Sequence, residues 1–133
     1  MREIRFRAWD KDNEQMWYWE SGQIVDAFWN SVRVYGHIPM QFTGLLDKSG
    51  VEIYEGDIVK VYTFISEDEP ELNDFTTHQI IWGGDYPAFE VEPHLEDDCN
   101  GLMLAVISEM GYVGIEVIGN IYENKDLLKE TQK

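Results

Sequence analysis

One stretch of the sequence gathers side chains that could bind a metal ion. Around His94 lie four carboxylates and one thiol, at Glu92, Glu96, Asp97, Asp98 and Cys99. A divalent metal held there could activate water, which is the chemistry of a metal-assisted hydrolase. The spacing argues against this, because neither HExxH nor a paired CxxC occurs, and His37 and His78 are distant in sequence. We therefore predict no metal site and no cofactor, and keep the hydrolase as a third hypothesis only.

Nucleophilic catalysis is not favoured either. The only thiol, Cys99, has acidic neighbours that disfavour the thiolate, which is the nucleophilic form. The sequence has no Walker loop and no GxSxG. We predict no catalytic residue and no enzymatic activity. A single cysteine cannot form an internal disulfide, so we expect a reducing, cytoplasmic environment.

Two aromatic groups near the start of the chain could instead bind a partner. Arg5, Arg7 and Trp9 alternate along one predicted strand, so they share its outer face and could hold a ligand by cation–π contact. Trp17 and Trp19 share one face of the next strand, and tryptophan is enriched at interfaces. The alternatives are a solvated face whose arginines pair with acids, and a tryptophan pair within the core.

The charge distribution excludes several partners. The 133 residues carry a formal net charge of −16, and no Lys or Arg occurs between Lys60 and Lys125. Nucleic acids and anionic membranes are bound through basic surfaces, so we expect neither as a direct partner. No run of about 20 apolar residues is present to span a membrane, and the first residues lack the apolar region of a signal peptide.

Alternating apolar residues and frequent turn signals predict a mainly β fold. Glu3–Trp9 and Met16–Trp19 form a hairpin around the turn at Asp10–Asn13, where Asp and Asn can bond their own backbone. Further extended segments are predicted at Ile24–Tyr35, Pro39–Gly44, Val51–Tyr54, Ile58–Phe64, Thr76–Trp82, Tyr86–Glu92 and Ile115–Ile118. In the segment that ends at Glu92, Phe89 and Val91 are expected to point inward and Glu90 outward.

The remaining segments complete one predicted domain over residues 1–133. Acidic loops are expected at 66–75 and 93–101, and Leu102–Met110 suits either a helix or a strand. Asn124–Glu130 is predicted as a short C-terminal helix with Asn124 as its N-cap. Short strands at close spacing favour a small SH3-like or partly open β-barrel with a hairpin extension.

Several turn residues are assigned structural roles. Gly50 and Gly56 are placed where a positive φ is needed, and the Asp57 carboxylate can accept N–H groups of its turn. Gly119 and Asn120 suit a β-bulge or the end of a strand.

Three segments together resemble the YopX family of phage and prophage proteins. They are Arg2–Asp10, Met40–Val59 with its Tyr54-Glu55-Gly56-Asp57 turn, and Glu116–Asn124. The family usually has proline after the final Glu-Asn, where this chain has Lys125, and residues 66–113 show no family pattern. The resemblance implies a mainly β fold and a phage or prophage origin. It implies no reaction and transfers no catalytic residue.

Two functions are preferred to the hydrolase. The first is a non-enzymatic accessory protein that binds a protein partner or forms a homo-oligomer. The second is an acidic mimic of nucleic acid, since fourteen acids in the base-free stretch could occupy the basic site of a host DNA-binding protein. Mimicry needs carboxylates spaced like phosphates, whereas most of these acids cluster in two loops.

Overall fold

The computed structural model describes residues 5–19, 25–82, 89–92 and 114–130. Within these ranges the strands are β1 (Phe6–Asp10), β2 (Gln15–Trp19), β3 (Ile38–Leu46), β4 (Glu52–Tyr54), β5 (Asp57–Phe64), β6 (Asp74–Trp82), β7 (Phe89–Glu92) and β8 (Gly114–Asn120). The described helices are α1 (Val25–Tyr35) and α2 (Leu127–Glu130), with a single 3₁₀ turn at Pro70–Leu72.

The described strands form two four-stranded antiparallel sheets. Sheet 1 has the order β2-β1-β3-β4, and sheet 2 has the order β7-β6-β5-β8. The predicted N-terminal hairpin is present as β1 and β2, with Arg7 opposite Tyr18. A mainly β, barrel-like architecture with a short C-terminal helix is therefore confirmed.

The hydrophobic core lies largely on sheet 2. Its buried members are Ile53, Val59, Val61, Ile80, Phe89, Val91 and Ile115. Strand β5 lies inside this sheet, and its apolar residues from Ile58 to Tyr62 are buried on both faces, whereas Phe64 at its end is exposed. A strand that is covered on both sides does not alternate between apolar and polar residues. The sequence of β5 has the nearly continuous apolar run that such a strand shows.

Backbone hydrogen bonds join the two sheets around the turn between β4 and β5. The Gly56 N–H donates to the Ile80 carbonyl at 2.8 Å, and the Ile121 N–H donates to the Gly56 carbonyl at 2.9 Å. We call the line along which the two sheets meet the seam. On its other side, the Lys48 N–H donates to the Ile115 carbonyl. The β4–β5 turn is therefore held by both of its neighbours in sheet 2.

The predicted strand at Ile24–Tyr35 is wrong, because residues 25–35 form helix α1. β-Branched and aromatic residues favour strands, but Phe28 and Val32 are also four apart, which places them on one side of a helix. Phe28 is buried against sheet 1, where its ring lies 6.1 Å from that of Phe6. Burial of this helical face outweighs the local strand preference.

Three smaller predictions also need correction. Glu90 was expected to point outward but is only 1% exposed, because β7 is covered on both faces. Arg7 and Trp9 were predicted on the outer face of β1, as a possible interface or a solvated face, but are buried because that face is covered as well. Asn124 does not cap the final helix, which begins at Leu127; its side-chain oxygen instead accepts the Asn120 N–H.

Candidate functional site

A buried ion pair lies where the two sheets meet. The Arg7 Nη2 donates to Asp57 Oδ1 at 2.8 Å and to the Glu55 carbonyl at 3.2 Å. The second oxygen of Asp57 accepts the Tyr54 N–H at 2.7 Å, which fixes the β4–β5 turn. Burial raises the pKa of Asp57, while the Arg7 guanidinium and the Tyr54 amide act in the opposite direction. Both Asp57 oxygens are engaged within the protein, whereas the buried Arg7 Nε has no hydrogen-bond partner among the described residues; the pair's role is to hold the sheets together.

A pocket of about 270 Å³ opens beside this ion pair, in the seam between the sheets. We call it the seam pocket. Its walls include Arg7, Tyr18, Glu52, Tyr54, Asp57 and Glu123. The Arg7 guanidinium carbon lies 4.7 Å from the centre of the Tyr54 ring, and the Tyr18 ring stands nearly perpendicular to that ring. Burial raises the pKa of Tyr54 to about 12, so this phenol is neutral at physiological pH.

Two further carboxylates of the described residues reach the seam pocket. Glu52 forms an ion pair with Arg5, and both side chains are partly exposed. Glu123 is exposed, and none of the ion pairs between described residues includes it. Among the described lining residues, one guanidinium therefore faces three carboxylates.

Asp10 and Asp47 act as anchors for backbone amides. Asp10 accepts the N–H groups of Asp12 and Asn13, the Asn13 amide at 2.8 Å, and the Trp17 indole N–H at 3.4 Å. The hydrogen bonds from Asn13 lower the pKa of Asp10. Asp47 accepts the N–H groups of Ser49, Val51 and Val117, which ties the β3–β4 turn to β8. The turn at Asp10 was anticipated from sequence, whereas the contact between Asp47 and β8 was not.

The turn residues singled out from sequence occupy the two ends of the seam. Gly50 and Gly56 have φ values of +86° and +88°. The pairing of β5 with β8 shifts by one residue next to Gly119, and Asn120 ends β8 by accepting the N–H groups of Tyr122 and Glu123. These residues shape the backbone and offer no reactive group to a ligand.

Large aromatic side chains are exposed along β2 and α1. Trp17 and Tyr18 are each 51% exposed, although they lie on opposite faces of β2. Trp19 is half-buried against Phe6, and the Trp29 ring of α1 packs edge-on against the same phenylalanine. Of the five residues predicted as an interface, the structure thus leaves Trp17 most accessible, followed by Trp19 and Arg5, and it buries Arg7 and Trp9.

The described residues contain no cluster of His, Cys, Asp and Glu that could hold a metal ion. His78 is buried and lies 2.6 Å from the Thr76 hydroxyl, and His37 lies 3.5 Å from Asp10. The segment around His94 and Cys99, like Leu102–Met110, lies outside the described residues. None of the described helices is long and apolar enough to cross a membrane.

Comparison with known proteins places this architecture in a family. The family described as YopX protein matches residues 22–129. The chain belongs to the YopX family. The match includes residues 66–113, which lack a recognisable family motif, and begins after Arg2–Asp10, one of the three segments that carry the resemblance. The family's Tyr54-Glu55-Gly56-Asp57 turn is the one that the Arg7–Asp57 pair holds in place.

A solved structure shows the same fold. The chain is similar to the crystal structure of protein EF1440 from Enterococcus faecalis, with 27% sequence identity and a TM-score of 0.63. The similarity covers 96% of this YopX chain and 99% of the other. No curated protein matches the chain.

Proposed function

We propose that this YopX protein is a phage or prophage accessory protein that acts without catalysis, by binding a protein partner in the bacterial cytoplasm. The observation that supports it best is the exposure of Trp17 and Tyr18 on β2, an edge strand of sheet 1. Large aromatic side chains contribute much of the binding energy at interfaces, because they bury a large area with few rotatable bonds.

The hydrogen bonds that three aspartates accept within the fold support a function without catalysis. Asp10, Asp47 and Asp57 each accept hydrogen bonds at both oxygens, from backbone amides and, in addition, from the Asn13 and Trp17 side chains at Asp10 and from Arg7 at Asp57. A general base must have a free lone pair within reach of substrate. These three aspartates serve the fold, and they leave the exposed aromatic residues as the better candidates for function.

Charge favours a different protein over a second copy as the partner. Each chain carries −16, so two copies repel one another, while a partner with basic groups is attracted. We therefore expect a monomer that associates with a partly basic protein.

Affinity capture from a bacterial host lysate tests this function. The immobilised chain should retain a defined protein, and Trp17→Ala should reduce its recovery several-fold. Trp82→Ala is the matched control, because Trp82 is 53% exposed but lies in sheet 2. Equal recovery by the wild type and Trp17→Ala would contradict a role for β2. Light scattering of the purified chain should show a monomer; a dimer that Trp17→Ala dissociates would assign β2 to self-association.

The same capture experiment addresses nucleic-acid mimicry. A mimic would retain basic nucleic-acid enzymes through its acidic loops, and Trp17→Ala would leave that retention intact. High salt would release such proteins, since exposed charge pairs are screened.

A further inference from the structure

The seam pocket has the dimensions of a site for one side chain. Its volume is about 270 Å³, and it opens to solvent beside the exposed Tyr18. Tyr18 belongs to β2, so the pocket adjoins one face of the strand to which we assign partner binding. A side chain that projects from a partner seated on β2 can therefore enter it.

The charge of the pocket favours a cation. The described lining residues bring three carboxylates, from Glu52, Asp57 and Glu123, against the single guanidinium of Arg7. Arg7 is already paired with Asp57, and Glu52 is paired with Arg5. Glu123 is exposed and takes part in none of the ion pairs between described residues, so its carboxylate is available to an incoming positive group.

Two tyrosine rings form a corner in the same pocket. The ring centres of Tyr18 and Tyr54 are 5.8 Å apart, at an interplanar angle of 79°. Aromatic faces attract cations, and cages of aromatic rings with carboxylates are a known means of binding ammonium groups. The protein uses this preference internally, since the Arg7 guanidinium already lies over the Tyr54 ring.

We propose that the seam pocket binds the positively charged head group of a lysine or arginine side chain from the protein partner. Glu123 supplies the charge pair, and Tyr18 supplies the aromatic face at the entrance. This site rests on the proposed function, and it names the chemistry by which the partner is recognised.

Binding of small probes tests the pocket without the partner. N-acetyl-arginine amide and N-acetyl-lysine amide should each shift the amide NMR signals of Tyr18 and Glu123 in a saturable manner. N-acetyl-glutamine amide, which has no charge, should not. Spermidine separates the two sources of a cationic group: if it binds far more tightly than both amino-acid amides, the pocket is a polyamine site and the proposal is wrong.

Matched variants locate the site. Glu123→Gln should weaken binding of the arginine probe by about two- to five-fold, as expected for the loss of one exposed charge pair. Glu67→Gln removes the same charge from an exposed position that is not among the pocket's described lining residues, and should leave binding unchanged. Equal weakening by both variants would show non-specific attraction to an acidic protein and would overturn the proposal.

The capture experiment separates this proposal from the proposed function. If Trp17→Ala loses the partner while Glu123→Gln retains it fully, β2 binds the partner and the pocket does not. If no partner is captured but the probes still bind at Glu123, the pocket is a site for small cations, and both the proposed function and the protein-side-chain assignment fail.

Discussion

Arg7 and Asp57 form an ion pair that links the two sheets. Their side chains are almost fully buried, with Nη2 and Oδ1 2.8 Å apart. Arg7 lies in β1 of sheet 1, and Asp57 begins β5 of sheet 2. Because each charge is removed from water, each is tolerated only while the other is present.

Arg7→Ala should lower the free energy of unfolding by about 3–5 kcal/mol, because it leaves the Asp57 carboxylate buried without its cation. Arg5→Ala is the control, since the Arg5–Glu52 pair is partly exposed and should contribute about 1 kcal/mol or less. Urea denaturation followed by tryptophan fluorescence measures both. Similar losses in the two variants would mean that the buried pair has no special importance.

Asp47→Ala should lower the free energy of unfolding by about 2–4 kcal/mol, because backbone amides of Ser49, Val51 and Val117 lose a charged acceptor. Asp47→Asn keeps one acceptor oxygen and should lose less. Hydrogen exchange provides a second readout, as the Val117 amide should exchange faster in Asp47→Ala. Unchanged protection at Val117 would contradict the link between the β3–β4 turn and β8.

Gly56→Ala should destabilise the protein more than Gly50→Ala. Both glycines have a φ near +87°, so each substitution carries the cost of the left-handed region, about 1–2 kcal/mol. A Cβ at Gly56 would also lie 2.9 Å from the Sδ of Met40, which is buried, whereas one at Gly50 meets nothing within 4 Å. Thermal unfolding compares the two. Equal losses would show that Met40 moves aside without cost.

Tyr62 should titrate well above an ordinary tyrosine. Burial, together with its hydrogen bond to Glu116, raises the pKa of Tyr62 from 10.0 to about 12. The folded state therefore prefers the neutral phenol, so this contribution to stability is complete below pH 10.0 and is lost as the pH rises toward about 12. The latest phase of tyrosinate absorbance should shrink by one phenol in Tyr62→Phe, and by one more when Tyr54, whose pKa is also raised to about 12, is changed to phenylalanine as well. A latest phase of unchanged size in Tyr62→Phe would contradict the raised pKa of Tyr62.

Local sequence patterns were sufficient for most of the strands. Alternation identified β1 and β2, and the apolar run of β5 indicated a strand covered on both faces. These patterns work because side chains alternate between the two faces of a strand. The same reasoning failed for α1, where strand-favouring residues form a helix because Phe28 and its neighbours pack on sheet 1.

The seam pocket could not have been predicted from the sequence. It combines Tyr18 from β2, Tyr54 from β4 and Glu123 from the segment after β8, and no local pattern relates positions so far apart. The motifs around Asp57 and Asn120 were noticed, but only the structure shows that they line one pocket. The burial of Arg7 could not be predicted from the sequence either, since alternation assigns the residue to one face of the strand without showing what covers that face.

The stack of Trp9 on Tyr122, with ring centres 5.7 Å apart, has a consequence for synthesis. It joins the first described strand to residues that the ribosome adds after β8. Contacts between distant positions slow folding, because the intervening chain must be ordered before they form. While the chain is still being made, β1 therefore lacks Tyr122 as a neighbour, and Trp9 stays without its stacking partner until nearly all of these residues have been translated.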